Sequence, residues 1–249
     1  SAFSSVGDLF SRPIRNYDAW IFQVTKRFAR NWTFQGSYVY SRLIGNYDGF
    51  VDRNTGAINL GANTVYDIPE LVRNSYGPLW DNRPHALKLD GFYTFDLRRA
   101  GRLTLGANLR FQSGSPISVF ADNNRFAGLS LVYLLPRGAG GRLEPNYFAN
   151  LGVSYAYPLP GEAELEFSVR LVNVTNARAV LRVDETYSFL QSRAIAGGDP
   201  DDLKHAKIQS PRNPTAFFQR DIVARQGNFG VQTQFQQPIG AQFELRLRF

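Results

Sequence analysis

The amino-acid sequence predicts an all-β chain whose antiparallel strands cross a membrane, and three observations support this class. About seven segments alternate apolar and polar side chains, as strands with one apolar and one polar face do. The connections between these segments are alternately short and long. No apolar run of about 18 residues occurs, which excludes a membrane helix, whereas a barrel strand spans a membrane at lower mean hydropathy because its residues alternate.

The clearest alternation lies at residues 239–249, which read IGAQFELRLRF. Odd positions from Ile239 onward are apolar, and even positions from Gln242 onward are polar or charged. The length suits a tilted membrane strand, and the segment ends on the aromatic Phe249. A soluble edge strand explains this segment equally well when it is taken alone, so the recurrence of the pattern decides between the two.

A hairpin is predicted from residues 17–28 and 32–42, joined by a tight turn at 29–31. The predicted apolar face of the first strand consists of Trp20, Phe22, Val24 and Phe28. Lys26 interrupts this face near its end, where a lysine at the membrane interface costs little. Residues 1–16 are punctuated by Gly and Pro and are predicted to end a loop.

The remaining strands are predicted at residues 85–95, 103–112, 147–157, 163–174 and 239–249. Three long connections intervene, at residues 43–84, 113–146 and 175–238, and residues 180–190 are predicted to pair locally above the barrel. Short periplasmic turns and long extracellular loops are typical of outer-membrane barrels. Aromatic residues near strand ends fit two interfacial girdles, with Trp32, Phe95, Tyr157 and Phe249 on the short-turn side and Tyr40 and Tyr147 on the loop side.

The strand number adds a further expectation. Seven antiparallel strands do not close a barrel, since the first and last would be parallel, and an open edge in lipid costs several kcal/mol for each unpaired group. Residues 1–249 are therefore expected to form the C-terminal part of one barrel domain, with further strands N-terminal to Ser1.

Several stretches together resemble the C-terminal third of TonB-dependent outer-membrane receptors, particularly the Oar-like branch. They are DNRPHALKLDGFYTF at residues 81–95, LRFQSGSPIS at 109–118, LLPRGAGGR at 134–142, LVNVTN at 171–176 and the closing aromatic strand. The resemblance implies a barrel of roughly 22 strands with an N-terminal plug. It also implies import of a large or scarce solute, driven by proton-motive force relayed from the inner membrane.

The resemblance also implies partners and one signal. The implied partners are outer-membrane lipid, the missing N-terminal strands and plug, TonB through the missing N-terminal part, and the barrel-assembly machinery. The terminal side chains read by that machinery would be Phe243, Leu245, Leu247 and Phe249. The alternation itself predicts a polar wall that faces the lumen and contacts plug and solute, formed by Lys88, Asp90, Asn108, Arg110, Glu166, Arg170, Glu244 and Arg246.

Other chemistry is weakly supported, and neither catalysis nor a cofactor is predicted. The net charge of +7 is spread over single basic residues that alternate with apolar ones, so no nucleic-acid partner is predicted. The chain has no Cys, so neither a disulfide nor a thiolate metal site is expected. His85 is interpreted as an interfacial residue, and His205 with Asp199, Asp201 and Asp202 as a solvated loop rather than a metal site.

Glu164 and Glu166 share one strand face, as a glycosidase carboxylate pair could. Neutralisation beside Arg170 is the preferred interpretation, because these residues face the lumen on the barrel hypothesis. Two alternatives to energised transport stay open from the sequence. One is a structural or adhesive outer-membrane barrel, and the other is a soluble β-sandwich binding module.

Overall fold

Seven long strands form one antiparallel sheet in the computed structural model, which describes residues 11–49, 58, 66, 69–122, 131–161, 163–190, 192–209, 217–222 and 225–249. The strands are β1 (Arg15–Ala29), β2 (Trp32–Gly45), β4 (His85–Asp96), β5 (Arg102–Gln112), β8 (Asn146–Pro158), β9 (Glu164–Val172) and β15 (Gly240–Arg248). They pair in this order along the sheet, and the two-residue strand β3 (Gly77–Pro78) pairs with the end of β2. The predicted all-β, antiparallel class is confirmed.

Each predicted strand segment overlaps one strand of this sheet, with small shifts at the ends. The β2 strand continues to Gly45, beyond the predicted end at residue 42, and β9 ends at Val172 rather than at residue 174. The predicted loop at residues 1–16 lies outside the described residues up to residue 10, and β1 already begins at Arg15.

The short connections close at one end of the sheet. Arg30 and Asn31 have φ of 54° and 68°, the two left-handed positions of a type I′ hairpin turn. Between β4 and β5 the chain makes a 3₁₀ turn at Arg98–Ala100 that ends on Gly101. Gly101 has φ of 94°, and a Cβ there would lie 2.1 Å from the carbonyl oxygen of Ala156, so only glycine fits.

One face of the sheet is apolar from edge to edge. The register aligns one row across six strands, consisting of Trp32, Tyr93, Leu105, Val153, Val169 and Phe243. Leu105 remains 42% exposed and Phe243 71% exposed, and no second sheet packs on this face in the described part of the chain. An apolar surface of this extent needs an apolar environment, which a lipid bilayer supplies.

Aromatic side chains border the apolar face at both ends. Trp32 lies at the turn end of β2 and Tyr40 at the loop end, eight residues apart, which is about 26 Å along the strand. At the tilt typical of barrels this spans about 20 Å of membrane thickness. Lys26 lies at the turn end, where its Nζ donates to the carbonyl oxygens of Ala29 and Trp32 at 2.8 and 3.1 Å.

Phe28 does not lie on the predicted apolar face. The register of β1 against β2 shifts between Lys26 and Ala29, so the alternation breaks before Phe28. Its ring stacks on Phe92 at 5.9 Å, and Phe92 pairs across from Thr33 on the polar face. The prediction for Phe28 was therefore wrong, because it assumed a strict two-residue alternation, which does not hold across a bulge.

The long connections fold into a layer at the opposite end of the sheet, the loop layer. Its strands are β6 (Phe120–Asp122), β7 (Leu131–Tyr133), β10 (Val180–Val183), β11 (Thr186–Ser188), β12 (Lys207–Gln209), β13 (Phe217–Ile222) and β14 (Gln232–Phe235). It also holds the short helix Pro69–Val72 and a 3₁₀ helix at Pro200–His205. Residues 180–190 do form strands, but these pair with distant segments rather than locally: β10 pairs with β14, and β11 pairs with β6 of the preceding long loop.

A buried apolar cluster lies within the loop layer rather than against the sheet. It consists of Val119, Ala121, Leu134, Leu135, Tyr187, Leu203 and Ala206. The strands can leave their apolar face to lipid, whereas the loops stand in water and need a core of their own. No helix in the described ranges is long and apolar enough to cross a membrane.

The face assignment predicts different outcomes for arginine at two adjacent residues of β5. Leu105→Arg places a charge on the apolar face and is expected to destabilise the folded barrel by about 2–4 kcal/mol. Thr104→Arg places the same charge on the polar face. It is expected to destabilise the folded barrel by only about 1 kcal/mol, because it removes the hydroxyl hydrogen bond to Thr94. Urea midpoints of the full-length protein refolded into vesicles measure both, and equal midpoints would contradict the assignment.

Candidate functional site

All eight residues of the predicted polar wall lie on the sheet face opposite the apolar one. The register pairs Lys88 with Arg110 and Asp90 with Asn108 on β4 and β5. On the later strands, the pairs that involve this wall are Gly152 with Arg170, Ser168 with Glu244, and Glu166 with Arg246. The two-residue period of the strands explains the shared face. That this face lines a lumen remains a prediction.

A first cluster on the polar face centres on Asp90. Arg110 donates to both Asp90 carboxylate oxygens, from Nη1 at 2.7 Å and from Nη2 at 3.1 Å. Asn108 also donates to this carboxylate and accepts from Asn150 Nδ2 at 3.3 Å. The cluster therefore forms a bonded polar band across β4, β5 and β8, which holds these side chains in place.

A second cluster lies towards the turn end and surrounds two glutamates. Glu166 accepts from Ser154 Oγ at 2.6 Å and from Arg248 Nη2 at 2.9 Å. Glu164 forms an ion pair with Arg102. Both carboxylates are thus neutralised as predicted, but by Arg102, Arg246 and Arg248 rather than by Arg170. The arginine partners lie on neighbouring strands, and the spacing of residues along one strand does not predict which residues pair between strands.

Arg170 instead borders a hollow in the polar face. Gly106 and Gly152 pair across β5 and β8 and form its floor. A Cβ built on Gly152 would meet no atom within 4 Å, so packing inside the described part of the chain does not require glycine there. The half-buried Asn150 and the exposed Arg170 stand at the rim.

A buried ion pair joins two of the long loops. Arg137 is 6% exposed and donates to both carboxylate oxygens of Asp48, at 2.7 and 2.9 Å. The same guanidinium donates to the Tyr133 hydroxyl and lies 4.7 Å from the centre of its ring. Tyr66 donates from its hydroxyl to the carbonyl oxygen of Asn46, close to Asp48 along the chain. We call Asp48, Tyr66, Tyr133 and Arg137 the loop latch.

Burial and mutual contact shift the pKa values of Tyr133 and Arg137 in the loop latch. Burial raises the pKa of the Tyr133 phenol well above its ordinary value, against the opposing effect of Arg137. Burial alone lowers the pKa of Arg137, but Tyr133 and Asp48 outweigh it, so the guanidinium pKa is raised. The neutral Tyr133 phenol therefore stabilises the folded latch below about pH 10, and this contribution is lost as the pH rises through the raised pKa.

The stretches that carry the family resemblance meet one another where the loops leave the sheet. Arg142 Nη1 donates to the carbonyl oxygens of Asn82 and Gly114 at 2.5 and 2.7 Å. Asn82 in turn donates to the carbonyl oxygen of Leu43 at 2.8 Å. A Cβ on Gly114 would lie 1.9 Å from the carbonyl oxygen of Leu143. These residues therefore tie together the bases of the first two long loops, a role that the sequence alone did not reveal.

Asn173, within the LVNVTN stretch, fixes the base of the last long loop. It is 0% exposed and has φ of 51°. Its Nδ2 donates to the carbonyl oxygens of Ala177 and Gln237 at 2.9 and 2.8 Å, which joins the end of β9 to the entry of β15. Asparagine tolerates this left-handed conformation and supplies both donors, and its position in a stretch that carries the family resemblance was the available signal.

The residues considered for other chemistry have structural contacts. His85 Nδ1 lies 2.8 Å from the Tyr38 hydroxyl at the loop end of the apolar face. Asp199 and Asp202 form a capping box at the start of the 3₁₀ helix Pro200–His205. Among the residues that the structure describes, no group of three or more His, Asp or Glu side chains could hold a metal ion.

The four side chains of the proposed assembly signal lie at the open edge of the sheet. Phe243, Leu245 and Leu247 share the apolar face of β15 and are 71%, 69% and 55% exposed. Within the described strands β15 pairs with β9 alone, which leaves its other edge open to a further strand. Recognition by the assembly machinery remains a prediction.

The sheet, its apolar band and the opposing polar face define a class of protein. The chain belongs to the family of outer membrane β-barrel domains, whose sequence model matches residues 1–136. It is part of a barrel of the bacterial outer membrane, and the soluble sandwich is excluded.

Within that class, the chain is similar to the TonB-dependent transporter Oar of Myxococcus xanthus, with 30% identity over an alignment that covers 96% of this chain. It spans 23% of the length of that protein. No solved structure matches the chain. The Oar-like resemblance is confirmed.

Removing one carboxylate from the loop latch is expected to loosen the loop layer. Asp48→Asn leaves the Arg137 guanidinium buried without its anion, which costs about 3–5 kcal/mol. Hydrogen exchange of residues 132–141 in the full-length protein should accelerate accordingly. Asp201→Asn, which changes an exposed carboxylate in the same layer, serves as the control and should leave this exchange unchanged. Unchanged exchange in both variants would show that the latch does not hold the loops.

Proposed function

We propose that this chain is the C-terminal part of the barrel of a TonB-dependent outer-membrane transporter, which imports or passes a large or scarce solute with proton-motive energy relayed from the inner membrane. The observation that supports this most is the similarity to a TonB-dependent transporter over 96% of the chain. The strands would supply part of the barrel wall, and the plug and the segment that contacts TonB would belong to the rest of the protein.

On this proposal the polar sheet face lines the lumen. Its bonded clusters around Asp90 and Glu166 form a rigid wall, because their charges are paired within the sheet. The hollow floored by Gly106 and Gly152 is where the wall would receive the plug or the passing solute. Nothing in this arrangement calls for bond chemistry, and we propose that the protein is not an enzyme.

The loop layer would form the outer mouth of the transporter. Loops that bind a solute need fixed side chains, and the buried apolar cluster and the loop latch hold them. The solute would meet this layer before it reaches the polar wall. The alternative of a structural or adhesive barrel needs the same strands and loops but no energised opening.

Cysteine labelling in cells tests energised opening. Gln35→Cys places a thiol on the polar face of the full-length protein, made free of other cysteines, and Ile58→Cys places one on an exposed loop residue. A membrane-impermeant maleimide added outside should label Gln35→Cys several-fold faster in cells with TonB and an intact proton-motive force than in cells lacking either. Ile58→Cys is the control and should label equally in all three.

Two results bear on the alternative. Equal labelling of Gln35→Cys with and without TonB would contradict energised transport and favour the structural barrel. Failure of TonB to crosslink to the full-length protein in cells would contradict it independently, since direct contact with TonB is part of the proposal.

A further inference from the structure

The apolar face of the sheet is not uniform, because a groove lies on it in the region between β2 and β8. Gly91 and Ala107 pair across β4 and β5 and form the floor of this groove. Larger side chains form its walls, namely Trp32, Phe34, Leu89, Leu105, Leu109 and Leu151. Its surface is almost entirely apolar. The groove therefore offers a recess at membrane depth that suits a hydrocarbon chain better than the flanking surface does.

Packing among the strands maintains this recess. The ring of Phe34 leans along the sheet, so that a Cβ built on Gly36 would lie 3.1 Å from Phe34 Cζ and 3.1 Å from Leu89 Cδ2. A Cβ built on Gly91 would lie 3.0 Å from the carbonyl oxygen of Thr33. The main-chain oxygen beside Gly91 thus leaves little room for a larger residue at this point of the floor.

The groove runs along the strands from the row of Leu89 and Leu109 to the row of Trp32 and Tyr93. The four residues from Leu89 to Tyr93 correspond to about 13 Å of strand. At that end Trp32, Tyr93 and Leu105 bound the groove, and one further apolar row, Phe95 and Leu103, follows on β4 and β5 before the turn. The groove therefore ends close to the short-turn end of the sheet.

Basic side chains gather at the two turns beyond that end of the groove. Arg27 precedes the first hairpin turn and Arg30 lies in it, and Arg98 and Arg99 lie in the second turn. The two turns are adjacent, because Thr94 N donates to the carbonyl oxygen of Asn31 at 2.7 Å. All four arginines are exposed, and among the described residues no carboxylate forms an ion pair with any of them.

The other charged groups near these turns are already engaged. Asp96 accepts from the backbone N–H of Arg98 at 2.8 Å and so caps its own turn. Lys26 donates to main-chain carbonyl oxygens, and Arg102 pairs with Glu164 on the polar face. The four guanidinium groups thus have no carboxylate partner among the described residues, and they lie on two adjacent turns beyond one end of the apolar groove. A ligand that matches both the groove and these arginines has an acyl chain and a phosphate a short distance apart.

We propose that the groove and the turn arginines form a binding site for an anionic glycerophospholipid of the leaflet at the short-turn end. An acyl chain lies over Gly91 and Ala107 between Phe34 and Leu151, and the phosphate is held by arginines of the two turns. An anionic headgroup is preferred over a zwitterionic one, because the cluster carries several positive charges and a zwitterion neutralises its own phosphate. The site lies on the outer wall of the barrel and is separate from the polar face.

Lipid selectivity of the full-length protein tests this site. The protein is reconstituted in phosphatidylcholine nanodiscs that contain spin-labelled phosphatidylglycerol or spin-labelled phosphatidylcholine, and electron paramagnetic resonance measures the motionally restricted fraction of each. We expect the protein to bind phosphatidylglycerol about fivefold or more tightly than phosphatidylcholine at low salt. One basic residue near a membrane surface increases the affinity for anionic lipid by about that factor. Arg30→Gln combined with Arg98→Gln should remove most of the preference, as should high salt.

Two further variants make the result decisive. Arg73→Gln combined with Arg178→Gln removes the same charge from exposed positions of the loop layer and should leave the preference unchanged. Ala107→Phe fills the groove without a change of charge and should reduce the restricted fraction of both lipids. No preference in the unchanged protein, or an equal loss in the loop-layer control, would overturn the proposal. Because the arginine variants lie outside the strands, they keep the test valid even if Ala107→Phe does not fold.

Discussion

The backbone hydrogen bonds of the sheet are the constraint on which the rest of this structure depends. Within the hydrocarbon of a membrane each N–H and C=O group needs a partner from the protein, so strands there must pair on both sides. Five of the seven long strands have two long neighbours, whereas β1 and β15 have one each among the described strands. These two edges need further strands of the same barrel, which agrees with a chain that spans 23% of the length of its relative.

Once the strands are paired, their two-residue period separates two environments. No protein layer covers the apolar face in the described part of the chain because this face meets lipid, and Gly91 and Ala107 form the floor of a groove on it. The opposite face carries carboxylates that are paired with arginines of neighbouring strands. Charged residues are thus tolerated within membrane depth because they face away from lipid and have partners.

The loops follow a different principle, since they leave the bilayer and enter water. They bury a core of their own around Leu134 and Leu135 and join their bases through Asn82, Arg142 and Asn173. Several of these residues belong to the stretches by which the family was recognised. The resemblance therefore marks residues that hold the loops in place.

The sequence by itself determined the class of the protein, the positions of its long strands and the face on which each wall residue lies. Alternate residues of a strand lie on the same face, so these properties can be predicted from short stretches of sequence. The bulge that turns Phe28 onto the polar face, the arginines that neutralise Glu164 and Glu166, and the joining of Asp48 to Arg137 were decided only by the tertiary structure. Each of these features depends on the strand register or on a contact between distant segments. The spacing of residues along one strand predicts neither.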